Sequence, residues 1–289
     1  MTNYNQLGRT ALLKVQEVRR SLRLSSQQPI SGIEAALKLN LQVRLENLPT
    51  VEGLYYKVNS QSLIVLGNQR PIGRQSFNCA HEIGHHVFGH GTKIDSKEGY
   101  RQSTDTEEIL VNMFASYLLM PQLVVLGAFK TRGIQLDEAT PKDVFGVANY
   151  LEVGYSTLAN HLHYGLKAIS EKKKMELLES TPKAIRESVV RVDNGGALLI
   201  ADRHWTDRPI DIRTGDFISV PSGTYFEGIG LELVHEGEEG FIFQGIKQSI
   251  GRLIHLDTEW SQFVRVSESL YAGLANYRHF ERVDDETNT

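Results

Sequence analysis

Apolar residues recur at three- and four-residue steps through residues 10–24, where Leu12, Val15, Val18 and Leu22 form one stripe, and this predicts an amphipathic helix. Residues 33–39 predict a second, shorter one. The period then changes to two. Leu41, Val43 and Leu45 alternate with polar residues as in a half-buried strand, and residues 54–58 and 62–66 (SLIVL) predict two more. Together these predict a small antiparallel sheet ahead of Pro71 and Gly73. Two helices follow, one over about 76–90 and one opened by Thr104 and Glu107 as a capping box and stopped by Pro121. Val144, Val147, Ala148 and Leu151, a break at Gly154, then Leu158, His161 and Leu162 predict two short helices set at an angle. A charged helix over 171–178 presents Lys172, Lys173 and Lys174 as a solvated face. Beyond Pro182, short apolar runs at 197–200, 217–220, 231–234, 241–243 and 263–266 stand between glycines and acids, the pattern of a β-rich domain.

Composition narrows the class. The 289 residues leave room for about two domains, and 40% hydrophobic with 23% charged residues is ordinary globular usage, which excludes wholesale disorder. A net charge of −4 argues against non-specific nucleic-acid binding by the whole surface, though not against a local DNA-reading face. Cys79 is the single cysteine, so no intramolecular disulfide forms and a reducing compartment fits. The first twenty residues are unlike a signal peptide, and no run approaches the roughly 20 apolar residues of a membrane span. The expectation is a cytoplasmic protein with no membrane association.

His81, Glu82, Ile83, Gly84 and His85 spell H-E-x-x-H inside the first central helix. A four-residue step turns an α-helix by about 400°, so both imidazoles leave one face and can grip one ion. Zinc suits neutral imidazole, and three protein ligands leave a fourth position for water. Glu82 stands beside that position and is the candidate general base, able to take a proton from the water and pass it to a leaving amine. Gly84 permits close packing against a neighbouring helix. Cys79, about 200° round the helix from His81, is expected in the core.

The third ligand sets the subclass. His90 lies nine residues beyond His81, one short of the metzincin step, so that pattern is rejected. Glu107 and Glu108 of the second helix are the carboxylate candidates. Glu108 shares its helical face with Asn112, Ala115 and Ser116, small or polar groups that let two helices approach, and is assigned as the ligand; Glu107 is assigned to the cap. His86 and His90 are read as surface residues or as partners behind the ligands. Asn112 is either a hydrogen-bond partner of a ligand or an ordinary contact between helices.

At these residues the chain resembles the ImmA/IrrE family of metallopeptidases. The likeness runs through RQSFNCAHEIGHHVFGH (74–90) and EILVNMFASYLLMP (108–121), and more weakly over about 10–165. It implies one Zn2+ per chain held by His81, His85 and Glu108, with Glu82 as general base. It also implies a zincin-like catalytic domain over 1–125 and a helix-turn-helix-like unit over 126–183; with the β-rich domain read from the apolar runs, over 184–289 and GAF-like by architectural analogy only, the expected fold class is α+β. The implied activity is endopeptidase cleavage of a helix-turn-helix repressor, which would release genes for stress response, defence or mobile-element transfer.

Several expectations go with this reading. The substrate pairs along the edge strand 62–66. Tyr155, His161 and His163 are weak candidates for oxyanion donors, with packing roles favoured. The C-terminal domain, with an antiparallel sheet, senses a small-molecule or nucleic-acid signal, and Trp205, Phe217, Tyr225, Phe226, Phe241 and Phe243 form its core or line a ligand pocket. The competing class is a DNA-binding transcription regulator with a structural or degenerate metal site. Its recognition segment, GYSTLANHLHYGLK, carries one Lys and no Arg, poor equipment for phosphate contacts.

Overall fold

Asn3 caps the first helix by accepting from the Gln6 N–H, so α1 (Tyr4–Ser21) starts earlier than its apolar stripe. Its buried side is Ala11, Val15 and Val18, whereas Leu12 is 46% exposed and faces outward. The computed structural model describes residues 3–58, 61–96, 105–190, 195–206, 208–238 and 240–280. In chain order there follow α2 (Gly32–Lys38), β1 (Gln42–Glu46), β2 (Val51–Val58), β3 (Gln61–Gly67), α3 (Ile72–Phe88), β4 (Lys93–Ser96), α4 (Thr106–Leu119) and α5 (Gln122–Thr131). Next come α6 (Pro141–Tyr150), α7 (Tyr155–Asn160), a π-helical turn at His161–Gly165, α8 (Glu171–Glu179) and α9 (Pro182–Val190). The chain forms two compact units: one runs to Ser188 and takes in Ala272–Ala275, and the other spans Val189–Tyr271 and resumes at Asn276. The helical segment α6–α8 belongs to the first.

The sheet of the first unit differs from the expected one. β1 and β3 run parallel, β3 and β2 antiparallel, and β2 and β4 antiparallel, in the order β1-β3-β2-β4. The sheet is mixed, and 62–66 is central, not an edge. Ile64, Val65 and Leu66 are all buried, and a continuous apolar run is what a strand covered on both faces requires. A substrate therefore cannot pair along 62–66, and that expectation is withdrawn.

Three helix details also depart from the sequence reading. Asp105, not Thr104, caps α4 by accepting from the Glu107 N–H; Thr104 lies outside the described residues. Lys172 is exposed, but Lys173 and Lys174 are buried, because their stems lie along apolar surface while their ammonium groups reach Glu176 and the Tyr164 hydroxyl. The stretch Thr106–Thr131 is long and apolar enough by length and composition to cross a membrane, contrary to the expectation. It is divided at Pro121 into α4 and α5, and Val111, Phe114, Leu118, Val125 and Phe129 place it in the core of this unit.

Close approaches fix α3. A Cβ on Gly32 of α2 would stand 1.9 Å from the Ser76 carbonyl oxygen, and one on Gly73 2.7 Å from the Val153 carbonyl carbon. The helix is thus held on one side by α2 and near its start by the turn between α6 and α7. α6 itself opens on a capping box of Thr140 and Asp143, with Pro141 at its first position.

The second unit holds β5 (Leu198–Ile200), β6 (Ile210–Arg213), β7 (Phe217–Val220), β8 (Thr224–Glu227), β9 (Leu231–Gly237), β10 (Gly240–Gly245), β11 (Ser249–His255) and β12 (Ser261–Ser267). They make two four-stranded sheets, β5-β7-β10-β9 and β6-β12-β11-β8, each with one parallel pair, where a single antiparallel sheet was expected. No α-helix follows Val190 among the described residues. Trp205, Phe217 and Phe243 are core residues, and Tyr225 is 44% exposed, so the aromatic set does not act as one lining. Asp211 is buried with Arg265, Arg278 and His279 around it. Burial alone would raise its carboxyl, but Arg278, His279 and Arg265 hold it well below the usual carboxylate range. The two-residue strand β13 (Gly273–Leu274) returns to the first unit and pairs antiparallel with β1 at Arg44 and Leu45.

Candidate metal centre

His81 and His85 project from one face of α3 and are fully buried. The first turn of α4 carries Glu108 to the same point. His81 Nε2 lies 3.3 Å from Glu108 Oε2, His85 Nε2 3.5 Å from Glu108 Oε1, and the two Nε2 atoms 3.1 Å apart. Glu107, one residue earlier, is exposed.

The tautomer of His81 follows from its second nitrogen. Nδ1 is 3.0 Å from Asn112 Oδ1, an oxygen that only accepts, so Nδ1 carries the hydrogen and Nε2 presents its lone pair to His85 and Glu108. His85 Nδ1 is likewise engaged, 2.9 Å from His90 Nδ1. Imidazole lone pairs and a carboxylate converging on one point are satisfied by a cation. The spacing agrees: ligands about 2.0–2.1 Å from a tetrahedral ion stand roughly 3.3 Å from one another. His81, His85 and Glu108 are therefore a set that can hold a metal ion.

Small residues bring these groups together. A Cβ on Gly84 would lie 2.8 Å from Val111 Cβ and 3.3 Å from Phe114, so α3 and α4 meet at a distance only glycine allows. On the other side of α3, a Cβ on Gly53 of β2 would stand 2.5 Å from Glu82 Oε1. Glu82 is 1% exposed, and its carboxylate occupies the space that Gly53 leaves open. The preceding residue, Glu52, is also buried and ties β2 to α3, its carboxylate receiving Arg70 Nε at 3.1 Å, Arg74 at 2.9 Å and Asn78 Nδ2 at 3.1 Å.

Sequence reasoning misses Gly53, Glu52 and Asn78. The available signal is an isolated glycine inside a strand pattern, which marks a close approach of another group. The remaining histidines serve elsewhere. His86 Nδ1 is 2.9 Å from the Tyr55 hydroxyl, and burial together with the Lys57 charge pushes its imidazole down. The three weak oxyanion candidates are each tied to a backbone carbonyl: Tyr155 to Leu177, His161 to Met120 and His163 to Ile169. Burial raises the Tyr155 phenol to about 12 and lowers His161 to about 4. Cys79 is fully buried, as expected for a core residue.

A helix bearing H-E-x-x-H, packed at glycine distance on a second helix that supplies a buried-side carboxylate, defines the class of a metal-site peptidase domain. Residues 36–163 match Peptidase_M78, the IrrE N-terminal-like domain. That matched stretch takes in α3, α4, α6 and α7, and over it the chain is similar to this peptidase domain. No curated protein matches the chain.

Proposed function

We propose that the chain is a zinc-dependent endopeptidase that cleaves a helix-turn-helix transcriptional repressor in the cytoplasm, and that its catalytic residues are His81, His85 and Glu108 as metal ligands and Glu82 as general base. The observation that carries this reading is the triangle of 3.1, 3.3 and 3.5 Å between His81, His85 and Glu108, the size a tetrahedral zinc site needs, with the buried Glu82 one residue along the same helix. Bound zinc would supply an acidified water and polarise the scissile carbonyl. The chain's own residues do the rest. Asn112 and His90 fix the ring orientations of His81 and His85, Gly84 sets the helix spacing, and Gly53 leaves Glu82 its place. Glu82 takes a proton at its carboxylate and returns it to the leaving amine.

The second unit is assigned to regulation, responding to a small-molecule or nucleic-acid signal, since an intracellular repressor protease must be idle until needed. The competing DNA-binding reading is disfavoured by charge: the segment from Gly154 to Lys167 that would read DNA carries one Lys and no Arg.

The experiment is incubation of the zinc-loaded chain with repressors encoded beside its own gene. Cleavage by the wild-type chain, lost on chelation and in Glu82→Gln, supports the proposal. Intact repressors in every case, or equal cleavage by Glu82→Gln, contradict it.

A further inference from the structure

β8, β11 and β12 of the second unit lie side by side, with β11 in the middle. Their register sorts the side chains onto two faces. Leu253, Val264 and Val266 are buried on one face and belong to the core. On the other, Ile250, Arg252 and Ile254 of β11 stand beside Phe263 of β12 and Tyr225 and Glu227 of β8. A sheet face open to water is ordinarily polar. Here Phe263 is 59%, Ile250 49% and Tyr225 44% exposed. Aromatic and arginine side chains gathered in this way are the composition of a protein interface.

The charges on this face decide what fits it. Arg265 and Arg278 are committed to Asp211, and Arg213 to Asp216. Arg252 and Glu227 remain, one of each sign. They are direct neighbours across the β11–β8 pairing, yet Arg252 turns the other way: its Nη2 donates to Ser261 Oγ at 2.7 Å, and its guanidinium lies over the Phe263 ring, 5.7 Å from the centroid. Glu227 is exposed and in no ion pair among the described residues. A nucleic acid needs a surplus of cations, which Glu227 cancels. A lipid surface would bury both charges without partners. A surface with an apolar body and one available charge of each sign is complementary to itself. Under a two-fold axis residue i meets j and j meets i, so Arg252 of each copy can reach Glu227 of the other while the apolar side chains pack around them.

We propose that two copies of the chain dimerise through this face of the second unit, with Arg252 and Glu227 paired reciprocally across the two-fold axis. The inference is independent of the peptidase reading above.

Sedimentation velocity of the full wild-type chain is expected to show a monomer–dimer equilibrium within about 1–100 μM, the range of a small interface. Arg252→Glu and Glu227→Arg each set like charges against one another twice in a homodimer, and each is expected to weaken it by about tenfold or more. Mixed in equal amounts, the two variants face each other with opposite charges and regain the wild-type affinity. Phe263→Ser removes apolar area from the same face and weakens the dimer without changing its charges; it serves if either reversal fails to fold. A wild-type chain that stays monomeric to about 100 μM overturns the proposal. So does a dimer that Phe263→Ser and both reversals leave as tight as wild type, or a mixture of the two reversals no tighter than its parts.

Discussion

Gly53 and Glu82 are matched across the gap between β2 and α3: a Cβ on Gly53 would meet Glu82 Oε1 at 2.5 Å, Cδ at 3.3 Å and Cγ at 3.4 Å, and nothing else nearer. The atom that would have to move is the end of a flexible side chain, so the fold can accept the change and the carboxylate cannot. Gly53→Ala is expected to keep its metal and its melting temperature and to lose cleavage by about a hundredfold, the cost of a misplacement on the order of 1 Å. Turnover measured beside zinc content checks this. Full turnover in Gly53→Ala would remove Gly53 from the positioning of Glu82.

Gly84→Ala tests the opposite case. Its Cβ would meet Val111 Cβ, an atom fixed to the α4 backbone, at 2.8 Å, so the two helices must part. Overpacking of this kind costs about 1–3 kcal/mol. Glu108 moves with α4, so stability and metal affinity should fall together, as read by chemical denaturation and by competition with a chelator. Lost stability with undiminished affinity would show that the ligand triangle tolerates a wider helix spacing.

His161 predicts part of the acid limb of stability. Its imidazole is neutral when folded and titrates at about 4, against the ordinary 6.5 of an unfolded chain. Between those values the unfolded chain binds the extra proton. Stability is therefore full above about pH 6.5, falls as the pH drops toward 4, and changes no further from this group below that. From pH 7 to pH 4.5 the loss amounts to about 2 kcal/mol. His161→Gln, which keeps a donor for the Met120 carbonyl, should flatten the limb by that amount in urea titrations at the two pH values. An unchanged limb would mean that His161 is accessible to protons in the folded state.

In the second unit, Asp211→Asn leaves Arg265 and Arg278 without their shared carboxylate. Breaking a buried ion pair from one side costs about 3–5 kcal/mol. Calorimetry of the full chain should show the lowered transition, and a zinc content unchanged from wild type would confine the damage to this unit.

What the sequence discloses follows from how local the constraint is. His81 and His85 are legible because a four-residue step on a helix permits one shared face. Glu108 over Glu107 is legible because only its face carries Asn112, Ala115 and Ser116. The order of the sheet is not, since SLIVL has the same composition at an edge or in the centre and only long-range pairing decides. Nor is β13, a two-residue strand from residues 273–274 that joins β1. A truncation at residue 182 would remove it, so a test of the second unit's regulatory role has to retain 272–275 or accept a shortened sheet. Gly53 and Asn78 matter through contacts with Glu82 and Glu52 that no spacing within one helix or strand encodes. The GAF-like analogy rests on architecture alone, and the described strands bring no helix to support it.

The most direct test is the zinc affinity of the wild-type chain, Glu82→Gln and Glu108→Ala, measured by chelator competition on metal-free protein. One zinc per chain is expected for the wild type and Glu82→Gln with similar affinity, and a loss of more than about a hundredfold in Glu108→Ala, beyond what a partner behind the ligands would cost. Undiminished affinity in Glu108→Ala, or no stoichiometric zinc in the wild-type chain, would contradict it.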